Sequence, residues 1–164
     1  MQDFFDQIWQ ALRQNLYYVA LMMCLSIPDI CGAIDSADGR ASRTRYVNWY
    51  DRYAATNCPF FDGQACYFFR CSMLHQGSTM NPSSNYSRIL FIEPGTTTNV
   101  FHCNIMNDAL NLDVGIFCTG MLNGAQSWLD SVRGTPRFSA NYDKFVRRYP
   151  NGLSPYIVGI PVIG

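Results

Sequence analysis

The stretch YYVALMMCL, residues 17–25, decides how this chain can fold, because it is apolar on every side of a helix. A helix of this kind buries its whole circumference and therefore belongs at the centre of a bundle. Residues 2–15 place apolar side chains at helical spacing, which predicts an amphipathic helix packed against it. Pro28 interrupts the apolar stretch, so either the helix kinks there or a new helix begins and covers residues 29–34.

Capping residues and helix breakers predict further helices downstream. Residues 41–54 carry an aromatic face that is typical of a helix packed on a core. Asp62 is a good N-cap for a helix that ends at about Gln76, and Gly77 suits the left-handed position after a helix end.

The pattern changes in the second half of the chain. Residues 88–93 form a short apolar strand candidate, a turn follows at Pro94-Gly95, and residues 100–106 are the expected partner strand of a hairpin. Residues 112–132 predict a long helix, whose glycines lower helical propensity but allow another helix to approach closely. Pro161 limits the apolar residues 156–163 to an edge strand.

These elements predict a mainly α protein, a helical bundle with a small β-hairpin in its C-terminal half. A chain of 164 residues suits a single domain over residues 1–164. Residues 1–77 would supply the helical bundle, and residues 88–164 the hairpin, the long helix and an apolar tail.

The composition limits the classes of partner. Only 15% of the residues are charged, whereas the usual share is about a quarter, so a homo-oligomer that hides surface or an unusually large core is expected. The formal net charge is zero, which gives no general attraction to nucleic acid or to a membrane.

Cysteine usage and the N-terminus bear on the cellular compartment. The chain has seven cysteines, an odd number without a C-x-x-C pair, which indicates free thiols rather than a disulfide framework. The N-terminus lacks the basic segment of a secretory signal. The longest apolar stretch, residues 17–27, is too short to span a bilayer. We therefore expect a cytoplasmic protein with no membrane partner.

Arginine is the main cation, with eleven copies against one lysine. Its planar fork matches phosphate and carboxylate groups. The basic segments supply four candidate phosphate-binding residues: Arg43, Arg45, Arg147 and Arg148. The alternative is that these segments pair with the acidic segment over residues 1–38.

Signatures of common enzyme classes are missing from the sequence. It has no glycine-rich nucleotide loop, no H-E-x-x-H zinc motif and no G-x-S-x-G nucleophile elbow. The two histidines, His75 and His102, could join cysteines in a zinc site, but their spacing does not favour one. We therefore expect no metal and no cofactor.

The segment YFFRCSMLHQG, residues 67–77, carries the clearest candidate chemistry. On a helix Arg70 shares a side with apolar residues, and a buried guanidinium must be paired with an acid or face an anion. His75 falls in the last turn, where the helix dipole favours an imidazolium. The structural alternative pairs Arg70 with an early acid such as Asp29 and lets His75 cap carbonyls of its own helix.

The pattern Arg70-x4-His75, closely followed by Gly77 on a late helix of an apolar bundle, resembles the motif of the HEPN superfamily. The resemblance covers roughly residues 1–80. It implies a helical bundle that dimerises, with the motif helices of both copies lining one cleft. Many members are metal-independent ribonucleases, often toxins or phage-defence effectors, and others are inactive scaffolds. The family's polar residue after the arginine corresponds here to Cys71.

The residue types suit such a reaction. Cleavage of RNA through its own 2′-hydroxyl needs a base, an acid and a cation on the phosphate. Histidine can make either proton transfer, and arginine can hold a phosphate bidentately. Because one chain offers a single histidine in this segment, the mechanism predicts a homodimer with a composite site of Arg70 and His75, with Asp29 and Cys71 in support. The expected partners are a second copy, RNA and an antitoxin or defence protein.

Two other functions stay open at this point. A non-catalytic interaction or scaffold module is favoured by Cys71 in place of the polar residue and by the neutral net charge. It predicts that Arg70 is bonded within its own chain and that His75 faces no cleft. A small-molecule enzyme would instead use Cys66 or Cys71 as nucleophile together with His75.

Overall fold

The computed structural model describes residues 1–54, 58–80 and 86–164, and within these ranges the chain forms six helices and seven short strands. The helices are α1 (Gln2–Arg13), α2 (Tyr17–Ile34), α3 (Arg43–Tyr53), α4 (Gly63–Gln76), α5 (Val114–Val132) and α6 (Pro136–Tyr142). The strands are β1 (Arg88–Ile92), β2 (Asn104–Met106), β3 (Ala109–Asp113), β4 (Arg148–Tyr149), β5 (Gly152–Leu153), β6 (Ile157–Val158) and β7 (Val162–Ile163). The predicted mainly α fold is confirmed.

Helix α2 is the centre of the bundle, as its all-round apolar sequence predicts. It packs against α1, α3, α4, α5 and α6. Of the two alternatives at Pro28, the start of a new helix is wrong, because α2 continues through this residue to Ile34. The continuous helix is therefore longer than the stretch over residues 17–27. By length and composition alone it could cross a membrane, and half of it is buried inside the fold.

Tyr46 holds three helices together at the middle of the bundle. Its side chain is fully buried, and its hydroxyl donates to the carbonyl oxygen of Leu25 on α2 at 3.1 Å. The same hydroxyl lies 3.3 Å from Sγ of Cys66 on α4. A buried hydroxyl needs such partners, and these contacts fix α3 against both neighbours.

The predicted ends of α4 are confirmed. The carboxylate of Asp62 accepts a hydrogen bond from the backbone N–H of Ala65 at 2.8 Å, as an N-cap does. Gly77 follows the helix with φ of 63°, in the left-handed region that glycine adopts at little cost. Both ends are set by local chemistry, which is why the sequence predicts them.

Gly124 allows the close approach predicted for the glycines of the long helix. A Cβ atom at this position of α5 would lie 2.5 Å from the carbonyl oxygen of Tyr53, at the end of α3. That contact is with backbone, which cannot rotate away.

Replacing Gly124 with alanine should therefore lower the free energy of unfolding by roughly 1–3 kcal/mol, because the added methyl group forces α3 and α5 apart. Urea unfolding followed by circular dichroism measures this loss. The matched control is Gly134→Ala, where a Cβ atom meets nothing within 4 Å and we expect a change within about 0.5 kcal/mol. Equal stability of the two variants would show that the helices are not in close contact at Gly124.

The sheet differs from the predicted hairpin. Strand β3 lies in the middle, with β1 parallel on one edge and β2 antiparallel on the other. The predicted pairing of residues 88–93 with residues 100–106 is therefore wrong. The hairpin of this region is β2–β3, joined by Asn107 and Asp108 with φ of 49° and 61°, as the tight turn that suits strand twist requires.

The start of the long helix is also later than predicted. Residues 112 and 113 belong to β3, and α5 begins at Val114. The carboxylate of Asp113 accepts from the backbone N–H of Ile116 at 2.9 Å and so caps this helix. The C-terminal tail then folds back in two small ladders, β4 with β7 and β5 with β6.

Two cysteines contradict the expectation that all seven are free. Cys58 and Cys103 form a disulfide across 45 residues of sequence, which ties the segment after α3 to the loop before β2. Free thiols remain at five positions: Cys24, Cys31, Cys66, Cys71 and Cys118. The sequence spacing of Cys58 and Cys103 does not predict this disulfide, because the bond forms only where the sheet folds onto the bundle.

Candidate functional site

Helices α2 and α4 bring Asp29 and Arg70 together at the edge of the bundle. The carboxylate oxygen Oδ2 of Asp29 forms an ion pair with Nη2 of Arg70. The two side chains are 14% and 20% exposed, so the pair is largely desolvated but reachable from outside. The structure thus contains the intrachain pair that sequence reasoning offered as the structural alternative.

Arg70 also contacts the second candidate residue of α4. Its Nη1 atom lies 3.5 Å from Nε2 of His75, whose side chain is exposed. Arg70 and His75 are five residues apart on the helix, and their side chains reach along its surface to meet. Asp29 therefore fixes one end of the guanidinium, and the other end is presented beside an exposed imidazole.

Cys71 and Tyr67 complete the surroundings of the guanidinium. Nη1 of Arg70 donates to Sγ of Cys71 at 3.7 Å, and the guanidinium carbon lies 5.9 Å from the centre of the Tyr67 ring. Cys71 is half-buried, and its sulfur gives the guanidinium only a weak polar contact.

Partial burial and neighbouring groups shift the pKa values of two residues at this site, Asp29 and Tyr67. Burial raises the pKa of the Asp29 carboxyl, while the charge of Arg70 acts in the opposite direction. Loss of Arg70 would remove the charge that opposes this shift, so the pKa of the Asp29 carboxyl would rise further. Burial and the nearby Cys71 raise the pKa of Tyr67, so its phenol stays neutral near neutral pH.

The four candidate phosphate-binding arginines do not form one patch of equivalent residues. Arg45 is held by Asp38, with Nη1 2.6 Å from the carboxylate. Arg147 pairs with Asp143 at 3.6 Å and lies over two tyrosine rings, and Arg148 is exposed at β4. Arg43 alone contacts the aromatic residues beside Arg70.

Arg43 begins α3 and reaches across to α4. Its guanidinium carbon lies 4.6 Å from the centre of the Phe68 ring and 5.8 Å from that of Tyr67. These are cation–π distances. The Tyr67 ring is thus within cation–π distance of two guanidinium groups, those of Arg43 and Arg70.

The remaining sequence candidates are placed away from this chemistry. Cys66 is fully buried, and burial raises the pKa of its thiol, which argues against a nucleophile there. The backbone N–H of Asp113 donates to Nδ1 of His102 at 3.2 Å, which gives this histidine a structural contact. Within residues 1–54, 58–80 and 86–164, no three His, Cys, Asp or Glu side chains group as metal ligands would.

An apolar stripe on α2 leads up to the Asp29–Arg70 pair. Tyr18 and Met22 fall within roughly 40° of Asp29 around the helix axis, at 100° per residue. Tyr18 is 77% exposed and Met22 37% exposed. Sequence reasoning treated this helix as buried on all sides and missed the stripe, because periodicity alone cannot show which part of an all-apolar helix stays uncovered.

The geometry can orient and hold an anion. Asp29 restrains the guanidinium of Arg70, the exposed imidazole of His75 lies beside it, and Arg43 supplies a second cation nearby. A fixed cation next to a group that can take up or release a proton is an arrangement used in phosphoryl-transfer chemistry. Comparison of the chain with protein-family models, with curated proteins and with solved structures finds no match.

Proposed function

We propose that this protein is a metal-independent ribonuclease of the HEPN type, with a dimeric site that uses Arg70 and His75 from two copies. The observation that carries the proposal is the 3.5 Å separation between Nη1 of Arg70 and Nε2 of the exposed His75. A toxin or phage-defence role in the cytoplasm, with a matching antitoxin or defence partner, belongs to the same proposal.

The reaction would be a transesterification within the RNA strand. The imidazole of one copy removes the proton from a 2′-hydroxyl, whose oxygen forms a bond to the adjacent phosphorus. The bond from phosphorus to the 5′-oxygen breaks, and the imidazolium of the other copy gives that oxygen a proton. Arg70 offsets the charge that develops on the phosphate, which is where a preorganised cation contributes most. The products are a 2′,3′-cyclic phosphate and a 5′-hydroxyl.

The need for two histidines supports a second copy at the site. Each chain has His75 alone in this segment, and two-fold symmetry would bring its equivalent to the same phosphate. The exposed Tyr18 and Met22 lie on the face of α2 that also carries Asp29. An apolar patch next to a charged site is the kind of surface that protein interfaces cover.

The proposal is tested with Met22→Asp, which places a carboxylate on the apolar stripe without touching Arg70 or His75. The wild-type protein should be a dimer in sedimentation experiments and should cleave single-stranded RNA in the presence of EDTA, leaving cyclic phosphate ends. The variant should be a monomer and should lose at least about 10²-fold in cleavage rate, since desolvating an unpaired charge opposes the interface.

The matched control is Val158→Asp, a change of similar chemistry on the exposed C-terminal tail, where Val158 is 73% exposed. It should remain a dimer with full activity. A wild-type protein that is monomeric, or that leaves RNA intact, would contradict the proposal.

A non-catalytic interaction module is the second candidate function. The intrachain pair between Arg70 and Asp29 favours it, because a paired guanidinium needs no further anion. The thiol of Cys71 in place of a stronger polar residue points the same way. This module would keep the dimer but would leave RNA uncut in the test above, so the same experiment separates the two functions.

A further inference from the structure

The Arg43 side chain is a cation without an acidic partner beside the proposed site. Within the described part of the chain, the ion pairs hold Arg45, Arg70, Arg133 and Arg147, and Arg43 is in none of them. Arg43 is exposed, yet its guanidinium is held against the Phe68 ring at 4.6 Å. The guanidinium carbon therefore lies over an aromatic ring, and the side chain as a whole is open to solvent.

Arg43 and Phe68 lie close to the proposed site. The guanidinium carbons of Arg43 and Arg70 lie 5.8 and 5.9 Å from the centre of the same Tyr67 ring. They are therefore no more than about 12 Å apart, and both lie within cation–π distance of the same aromatic ring. A polymer with regularly spaced negative charges and flat rings can contact both cations and the aromatic surface at once.

We propose that Arg43 and Phe68 form a subsite for single-stranded RNA, in which the Arg43 guanidinium is sandwiched between Phe68 and an unpaired base next to the phosphate held at Arg70. The position of that phosphate rests on the proposed function. Bases stack on guanidinium planes and on aromatic rings in sites for single-stranded RNA. A base in a duplex is already stacked on both faces, so this subsite selects unpaired RNA.

We expect the planar shape of the Arg43 and Phe68 side chains, and not positive charge alone, to determine the affinity of the subsite for single-stranded RNA. Lysine would keep the positive charge at position 43 but has no plane on which a base can stack. Leucine at position 68 would keep most of the apolar volume but would remove the ring that supports the guanidinium. The two substitutions therefore separate stacking from simple electrostatic attraction.

The test measures binding without cleavage, in the full-length His75→Ala protein. The fluorescence anisotropy of a short labelled single-stranded RNA, and of the duplex of the same sequence, gives the dissociation constants. Arg43→Lys and Phe68→Leu should each weaken binding of the single strand by roughly 10-fold or more and should leave the weaker duplex binding unchanged. Arg13→Gln, a loss of charge at the exposed end of α1, should change either constant less than about 2-fold.

Each outcome decides one claim. Unchanged binding of the single strand by Arg43→Lys and Phe68→Leu overturns the subsite, as does equal binding of single strand and duplex or no binding at all. If the wild-type protein cleaves RNA and the two substitutions leave single-strand binding unchanged, only the subsite is wrong. If the variants lose single-strand binding but the wild-type protein cuts nothing, the subsite stands and the ribonuclease proposal fails.

Discussion

Replacing His75 with alanine should lower the rate of RNA cleavage by about 10²–10⁴-fold, the contribution expected of one positioned acid or base. The loss falls at the upper end of this range if both copies of His75 act on one phosphate, because the substitution removes the acid and the base together. The rate should be measured under single-turnover conditions with saturating protein, so that a change in RNA affinity does not contribute.

Folding should be almost unaffected by the same substitution. His75 is exposed in the last turn of α4, where an imidazolium stabilises the helix end by no more than about 1 kcal/mol. Gln76→Ala is the matched control, since Gln76 is the exposed neighbour in the same turn. It should keep full activity. Equal cleavage by wild type, His75→Ala and Gln76→Ala would remove His75 from the reaction.

The elements predicted best from sequence are those set by local chemistry. Asp62 and Gly77 fix the two ends of α4 through their own side chain and backbone, and neither needs a distant partner. The same holds for the apolar stretch over residues 17–25, which forms the first half of α2. The sequence also indicated the Asp29–Arg70 ion pair as the alternative to an anion site, because a buried guanidinium requires an acid and few acids lie in the apolar helices.

The features that sequence analysis missed depend on contacts between distant segments. The parallel pairing of β1 with β3 joins residues 88–92 to residues 109–113, and closing such a loop leaves no local signature. The position of Arg43 over Phe68 depends on how α3 packs on α4, so it could be placed among candidate phosphate ligands but not beside Arg70. The tight turn at Asn107-Asp108 did carry a signal, since both residue types tolerate the left-handed region.

The Asp29–Arg70 ion pair is compatible with both candidate functions. An isolated guanidinium at this depth would be costly, so the carboxylate is needed for the fold in either case. In a ribonuclease the same carboxylate would also restrain the guanidinium in one orientation, which reduces the cost of ordering it around a phosphate. The pair that favours an interaction module is therefore also compatible with a ribonuclease, and the exposed His75 beside it is the feature that supports the catalytic proposal.

Reducing the disulfide between Cys58 and Cys103 should lower the free energy of unfolding by about 4 kcal/mol, from the loop entropy of the 45 residues that it closes. This is a large share of the roughly 5–15 kcal/mol that stabilises a typical domain. The loss should appear as a lower urea midpoint when the protein is unfolded in the presence of dithiothreitol. The result also bears on the proposed cytoplasmic location, since a reducing compartment would hold the pair as thiols.

The double variant Cys58→Ser, Cys103→Ser isolates the effect of the cross-link. It should unfold at the midpoint of the reduced wild-type protein, and dithiothreitol should shift it no further, because the five remaining cysteines are free thiols. A wild-type midpoint that is the same with and without reductant would mean that the bond is not formed or does not stabilise the fold. A reduced protein that still folds would be compatible with the cytoplasm, whereas one that unfolds at 37 °C would require an oxidising compartment.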